Sequence, residues 1–155
     1  VFDPNLRPRL WTDTNTMHQG ISDAAAGADL VLPSFDDEAT HFGDADPQAT
    51  VARYLALGAG QVVVKNGGGP ISFGGAGGSG VIDDLAPETP VDSTAAGDSF
   101  NAGYLAASLS GADCAAAIAA TKAPIECPTT IGRTPKTAAT VARSWAMTSR
   151  PAAAA

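Results

Sequence analysis

Short apolar runs alternate along this chain with segments of helical period, and that alternation limits the folds open to it. Leu30-Val31-Leu32 closes on Pro33, and Gln61 to Lys65 encloses Val62-Val63-Val64, a β-branched run with length only for a strand. Before and between them the spacing predicts helices. Met17, Ile21 and Ala24-Ala25 recur at helical intervals over 14–26. Ser34 is placed to cap a second helix through Phe42, with Asp36, Asp37 and Glu38 in the first turn, where the helix dipole favours acids. Asp46-Pro47 opens a third, which sets Val51, Tyr54, Leu55 and Leu57 on one face and stops at Gly58. Phe2, just before Asp3-Pro4-Asn5, reads as the end of a further buried strand. Strands and helices in this order specify an α/β sandwich with a mainly parallel sheet.

Beyond Lys65 the chain must turn through Asn66-Gly67-Gly68-Gly69-Pro70, so Ile71-Ser72-Phe73 is expected to return as a hairpin partner. A glycine-rich loop over 74–80 leads to a third short strand at Val81-Ile82. Helices are expected over 97–109, 112–122 and 137–147. The domain is expected to fill 1–147, and 148–155 reads as a low-complexity tail. With 16 acidic and 9 basic side chains the net charge is −7, which offers no basic stripe to nucleic acid. No apolar run approaches the ~20 residues that would span a membrane. The two cysteines, Cys114 and Cys127, lack metal or disulfide spacing and agree with a reducing, cytoplasmic setting. The chain opens on Val1 with neither an initiator Met nor a signal peptide, so its beginning is expected to be missing.

Chemistry concentrates in Asp92-Ser93-Thr94-Ala95-Ala96-Gly97-Asp98-Ser99-Phe100-Asn101-Ala102-Gly103. Small residues at 95–97 let the backbone pass close to a ligand, and the helix that follows turns unpaired N–H groups toward it. Such an arrangement binds phosphate oxygens and stabilises charge developing on a transferring group. Asp98, at the tip, is placed to receive a proton from an attacking hydroxyl. A loose phosphoryl-transfer transition state releases that proton late, so a carboxylate suffices as base. An ordinary helix-capping Asp is the plain alternative.

The same stretch resembles the C-terminal signature of the PfkB/ribokinase-like carbohydrate kinases, D-T-x-[GA]-A-G-D-x-[FA]. Asp92, Thr94, Ala95, Ala96, Gly97, Asp98 and Phe100 stand in register, with Ser93 where Thr is commonest. A second stretch, Phe2-Asp3-Pro4-Asn5-Leu6-Arg7-Pro8-Arg9-Leu10-Trp11, is similar to the D-x-N-x-R-P-x-L-W segment of the 2-keto-3-deoxygluconate kinases within that family. The resemblance implies a ribokinase-like three-layer α/β/α sandwich, of which this chain is the C-terminal half. It also implies ATP and Mg²⁺ as cofactors, Asp98 as general base, and an anion hole at Ala95, Ala96 and Gly97. The acceptor would be the primary 6-hydroxyl of 2-keto-3-deoxygluconate, and an aldolase of Entner–Doudoroff or uronate catabolism would consume the product.

Arg7 would read the substrate carboxylate, since guanidinium binds a carboxylate bidentately and a neutral sugar needs no such charge. Asn5 would support the same site. On the nucleotide side, Leu32-Pro33-Ser34-Phe35-Asp36-Asp37-Glu38 stands where relatives carry N-x-x-E, which places Ser34 at the nucleotide and Asp37 or Glu38 at Mg²⁺ through water. Val62-Val63-Val64-Lys65-Asn66-Gly67 resembles the family's V-x-K-x-G strand and turn, with Lys65 on a phosphate and Gly67 admitting ATP.

Other features are expected to be structural. The run Gly74 to Gly80 lacks the Lys-Ser/Thr of a Walker A loop, and His18 and His41 have no spaced partners. Arg9 reads as a surface charge, and Trp11 and Trp145 are expected to pack. The expected partners are a sugar acid and ATP, and self-association stays open. Two other readings remain: a neutral-sugar kinase of fructokinase or ribokinase type, and a nucleotide-binding fragment without catalysis.

Overall fold

A computed structural model describes residues 1–83 and 96–121. The first strand residue is Phe2, which lies parallel to Val31; its N–H donates to the Leu30 carbonyl at 2.8 Å and its carbonyl accepts from Leu32 N–H at 2.9 Å. Helix α1 (Thr14–Ala26) returns the chain to β1 (Leu30–Val31), and α2 (Phe35–Phe42) and α3 (Pro47–Leu57) return it to β2 (Gln61–Val64), parallel to β1. Strands β3 (Ile71–Gly75) and β4 (Gly80–Ile82) then add as successive antiparallel hairpins, in the order β1-β2-β3-β4. The sheet is therefore mixed rather than mainly parallel: the two helical crossovers give parallel pairing and the two glycine-containing turns give antiparallel pairing.

Strand geometry explains the layers. Side chains alternate across a strand, so Val31, Val62 and Val64 face one way and Leu30, Leu32, Val63 and Ile71 the other. The first set packs against Met17, Ile21 and Ala25 of α1 and Val51 and Tyr54 of α3. The second packs against Tyr104 of α4 (Ala96–Leu109) and Cys114, Ala117 and Ile118 of α5 (Cys114–Ala120). Val62, Val63 and Val64 are all fully buried, each worth roughly 1.5–3 kcal/mol of hydrophobic stabilisation. Helices on both faces of one sheet make the three-layer α/β/α arrangement, as expected.

Local details follow the residues. Asp46 caps α3 by accepting Ala49 N–H at 2.7 Å, and Gly58 ends that helix at φ +110°. Ser34 sits at the N-cap of α2 but makes no side-chain capping bond; that expectation fails because the backbone is instead secured across the sheet, where Phe35 N–H donates to the Lys65 carbonyl at 2.8 Å. Gly74, Gly75 and Gly80, expected in a loop, belong to β3 and β4. Gly75 crosses so close to the Gly60 carbonyl that no side chain fits. Trp11 packs as expected, its ring against Gly20, where a Cβ would stand 2.6 Å away. His18 Nε2 donates to the His41 carbonyl at 2.7 Å, and its ring stacks on Phe42. Cys114 is buried, and burial pushes its thiol and the phenol of its hydrogen-bond donor Tyr104 above their ordinary ranges. Cys127, Trp145, the expected helix over 137–147 and the tail lie outside the described residues.

Candidate active site

Three chain crossings deliver three residues to the carboxyl ends of parallel strands: Asp3 after Phe2, Ser34 after β1, and Lys65 after β2. Ligands of open α/β sheets bind in the crevice at that edge. Ser34 and Lys65 pair in parallel, with Lys65 N–H donating to the Pro33 carbonyl at 2.9 Å, so both backbones are fixed there. A cavity of about 290 Å³ opens beside them, lined among others by Ser34, Asp36, Lys65, Gly67, Ala96 and Gly97. Ser34, Lys65 and Gly67, the three expected nucleotide residues, thus meet two of the three expected anion-hole residues. The turn after β2 runs through Gly67 at φ +53° and Gly68 at φ +103°, a backbone state that glycine adopts without strain.

Ala96, Gly97 and Asp98 form the first turn of α4, where N–H groups have no intrahelical acceptor and favour anions. Asp98 is exposed. A methyl group at Gly97 would stand 3.7 Å from Lys65 Nζ, an ordinary contact. Asp92, Thr94 and Ala95 lie outside the described residues.

Lys65 does not project freely into the cavity. Its ammonium donates to Asp3 Oδ2 at 2.7 Å and to Asn101 Oδ1 at 3.2 Å, and Asn101 Nδ2 donates to the same Asp3 oxygen at 2.6 Å. With a side chain only 10% exposed, Lys65 is a wall of the cavity whose charge is already paired. The motifs themselves assign no role to Asp3 or Asn101. Each stands inside a quoted motif, yet nothing local pairs residues 98 positions apart.

The acids at the start of α2 separate. Glu38 is completely buried: Oε2 accepts from Arg53 Nη2 at 2.6 Å and Oε1 accepts from Tyr54 OH at 3.0 Å. Both oxygens are engaged in the core, which removes Glu38 from the expected Mg²⁺ pair, because helix periodicity turns it inward. Burial pushes its carboxyl up, against the opposing pull of Arg53. Asp37 is half-buried and Asp36 lines the cavity, with Oδ2 facing Gly67. Among the described residues no group of three or more His, Cys, Asp or Glu is arranged to hold a metal ion. Asp36, the one carboxylate lining the cavity among the described residues, suits Mg²⁺, which keeps several waters and binds through one or two carboxylates and phosphate oxygens.

Asn5 and Arg7 line a second, wide cleft of about 450 Å³ with Pro4, Leu10 and Trp11. Arg7 is exposed and donates to the Leu6 carbonyl at 2.8 Å. Asn5 takes φ +39°, the one non-glycine residue with positive φ among the described residues, and its N–H donates to Asp3 Oδ1 at 3.0 Å. Among the described residues no helix is long and apolar enough to cross a membrane.

The layered sheet and its crevice define a ribokinase-like fold, and comparison with known proteins agrees. The chain belongs to the pfkB family carbohydrate kinases, whose profile matches residues 1–123. It is 37% identical over 115 residues to the 2-dehydro-3-deoxygluconokinase of Escherichia coli K12, an alignment covering 72% of this chain and 37% of that protein. The chain thus spans little more than a third of the length of that curated relative. Among solved structures, a PfkB protein from Polaromonas sp. JS666 superimposes with a TM-score of 0.67 at 37% identity, covering 78% of this chain and 39% of that one. A ribokinase II-type protein of E. coli, solved with ATP and Mg²⁺, gives 0.63 at 27% identity over 76% of this chain and 38% of its own.

Proposed function

We propose that this chain carries the phosphoryl-transfer part of an ATP-dependent kinase for a sugar acid, 2-keto-3-deoxygluconate, acting on its primary 6-hydroxyl. The observation that carries the reading is the single cavity where Ser34, Lys65 and Gly67 meet Ala96 and Gly97 at the start of α4. The similarity to 2-dehydro-3-deoxygluconokinases supports the choice of acid.

In this reading the nucleotide phosphates lie along the Gly67 turn, where the absence of side chains admits them. The N–H groups of 95–98 receive the charge that develops on the γ-phosphoryl group. The 6-oxygen bonds to the γ-phosphorus as the bond to the ADP oxygen breaks, and the hydroxyl proton passes to the Asp98 carboxylate. Arg7 pairs with the substrate carboxylate and Asn5 shapes the loop that carries it. Asp36 and Asp37 would hold Mg²⁺ through water. When bound, that ion offsets the negative charge of the phosphates.

The test is steady-state kinetics on the protein purified from its complete reading frame, with the acid, fructose and ribose as competing acceptors. Asp98→Asn is expected to lower kcat about 10³-fold while calorimetry still detects ATP binding. Arg7→Ala should raise KM for the acid about 30-fold, the worth of a lost charge-assisted contact. An unchanged KM, or preference for a neutral sugar, would refute the acid assignment. ATP binding without turnover of any of the three would mark a nucleotide-binding module.

A further inference from the structure

We propose that Asp3 is a positioning residue that ties the Asn5–Arg7 loop and the first turns of α4 to one carboxylate; its catalytic consequence rests on the kinase reading above. The two oxygens divide the work. Oδ1 accepts the Asn5 N–H at 3.0 Å, and Oδ2 accepts from Lys65 Nζ at 2.7 Å and Asn101 Nδ2 at 2.6 Å.

Each partner matters for a different reason. Asn5 holds φ +39°, a state that costs an L-residue energy and persists where its surroundings fix it. Lys65 is mostly buried, and Asp3 is its paired carboxylate among the described residues. Asn101 follows Asp98 by three positions, so the two share a side of α4, and anchoring Asn101 sets the rotation of the turn that presents Asp98, Ala96 and Gly97. Asp3 therefore joins the residues proposed to hold the acid to the residues proposed to transfer phosphate. Catalytic geometry is sensitive to such joints: a misplacement of about 1 Å can cost roughly 10²-fold in rate.

The chemistry of the joint makes it testable. An amide has one acceptor and one donor end, so Asp3→Asn can serve either Asn5 or the Lys65–Asn101 pair, not both. The exchange Asp3→Asn with Asn101→Asp returns a carboxylate to the cluster. Lys65 and the new amide then donate to position 101, and the amide oxygen remains for Asn5.

The experiment measures kcat, KM for the acid and for ATP, thermal stability, and hydrogen exchange at the Asn5 amide in wild type, Asp3→Asn and the exchange variant, all made from the complete reading frame. Asp3→Asn is expected to lower kcat/KM for the acid about 30-fold or more and to speed Asn5 exchange at least 10-fold. The exchange variant should recover both to within about 3-fold of wild type. A stable Asp3→Asn protein with kcat/KM within 2-fold of wild type would overturn the proposal, as would a loss that the exchange variant fails to recover at native stability. If wild type phosphorylates nothing, the kinase reading fails by itself. Hydrogen exchange then decides the joint: faster Asn5 exchange, recovered in the exchange variant, supports it, and unaltered exchange refutes it.

Discussion

Two clusters of acid, cation and neutral partner sit about the sheet, and they do different work. In the first, Arg53 is gripped by Glu38 at 2.6 Å and by Asp44 at 2.8 Å, with its guanidinium over the rings of Phe42 and Tyr54. In the second, Lys65 lies between Asp3 and Asn101 in the wall of the cavity. The first links α2 to α3 and closes on itself. The second gathers the first residues of the chain, the end of β2 and the start of α4. Arginine suits the first, because its fixed fork serves two carboxylates and its flat face stacks; lysine, a point charge, suits a junction of converging loops. An acid in the first turn of a helix is equally at home as a core residue or at a ligand, and only its partners distinguish the two.

Each cluster can be disrupted by a single substitution. Glu38→Ala carries the largest expected effect on stability: it leaves Tyr54 OH without its acceptor and Arg53 with Asp44 alone, and should cost about 3 kcal/mol in urea unfolding. If that variant instead keeps its stability and loses its Mg²⁺ dependence, Glu38 belongs to the site after all. Gly97→Ala probes the cavity side. Among the described residues the added methyl meets nothing closer than Lys65 Nζ at 3.7 Å, so stability should stay within about 1 kcal/mol of wild type. Calorimetric affinity for ATP should nevertheless fall about 10-fold, since the methyl crowds the phosphate approach. An unchanged affinity would move the phosphates elsewhere.

The smallest effect concerns pH. Burial pushes the Asp44 carboxyl up, but hydrogen bonds from Arg53 and Thr50 outweigh it and hold the group below its ordinary value of 3.8. Its contribution to stability is therefore full above about pH 4 and is lost as pH falls through the lowered value. Glu38, pushed up by burial, runs the opposite way: its contribution is full below its ordinary value of 4.5 and shrinks as pH rises through the raised one. Asp44→Asn should flatten the acid limb of stability measured between pH 5 and about 2. An acid limb identical to that of wild type would remove Asp44 from the account.

Much of this was legible from the residues in order. The helix at Thr14–Ala26, the cap at Asp46, the stop at Gly58 and the buried valines of β2 follow from periodicity, turn chemistry and β-branching, all of which act within a few residues. Some of the motif residues also reached one place, with Ser34, Lys65 and Gly67 facing Ala96 and Gly97, while Asn5 and Arg7 line a separate cleft. Less legible were the destinations of charged side chains. Glu38 looked like its neighbours Asp36 and Asp37, but the 100° step per residue turns it into the core, where Arg53 and Tyr54, fifteen and sixteen positions later, complete it. Lys65 looked like a free phosphate ligand, and its partners stand 62 and 36 positions away.

Local sterics and the spacing of apolar side chains were enough to mark the helices, the cores of the strands and the small-residue stretch that opens α4, though not the glycine ends of β3 and β4. Tertiary structure alone decided which acid meets which cation. Electrostatic pairing acts through space at distances near 3 Å, and it was the closing of the sheet and the docking of α4 that brought Asp3, Lys65 and Asn101 within that reach.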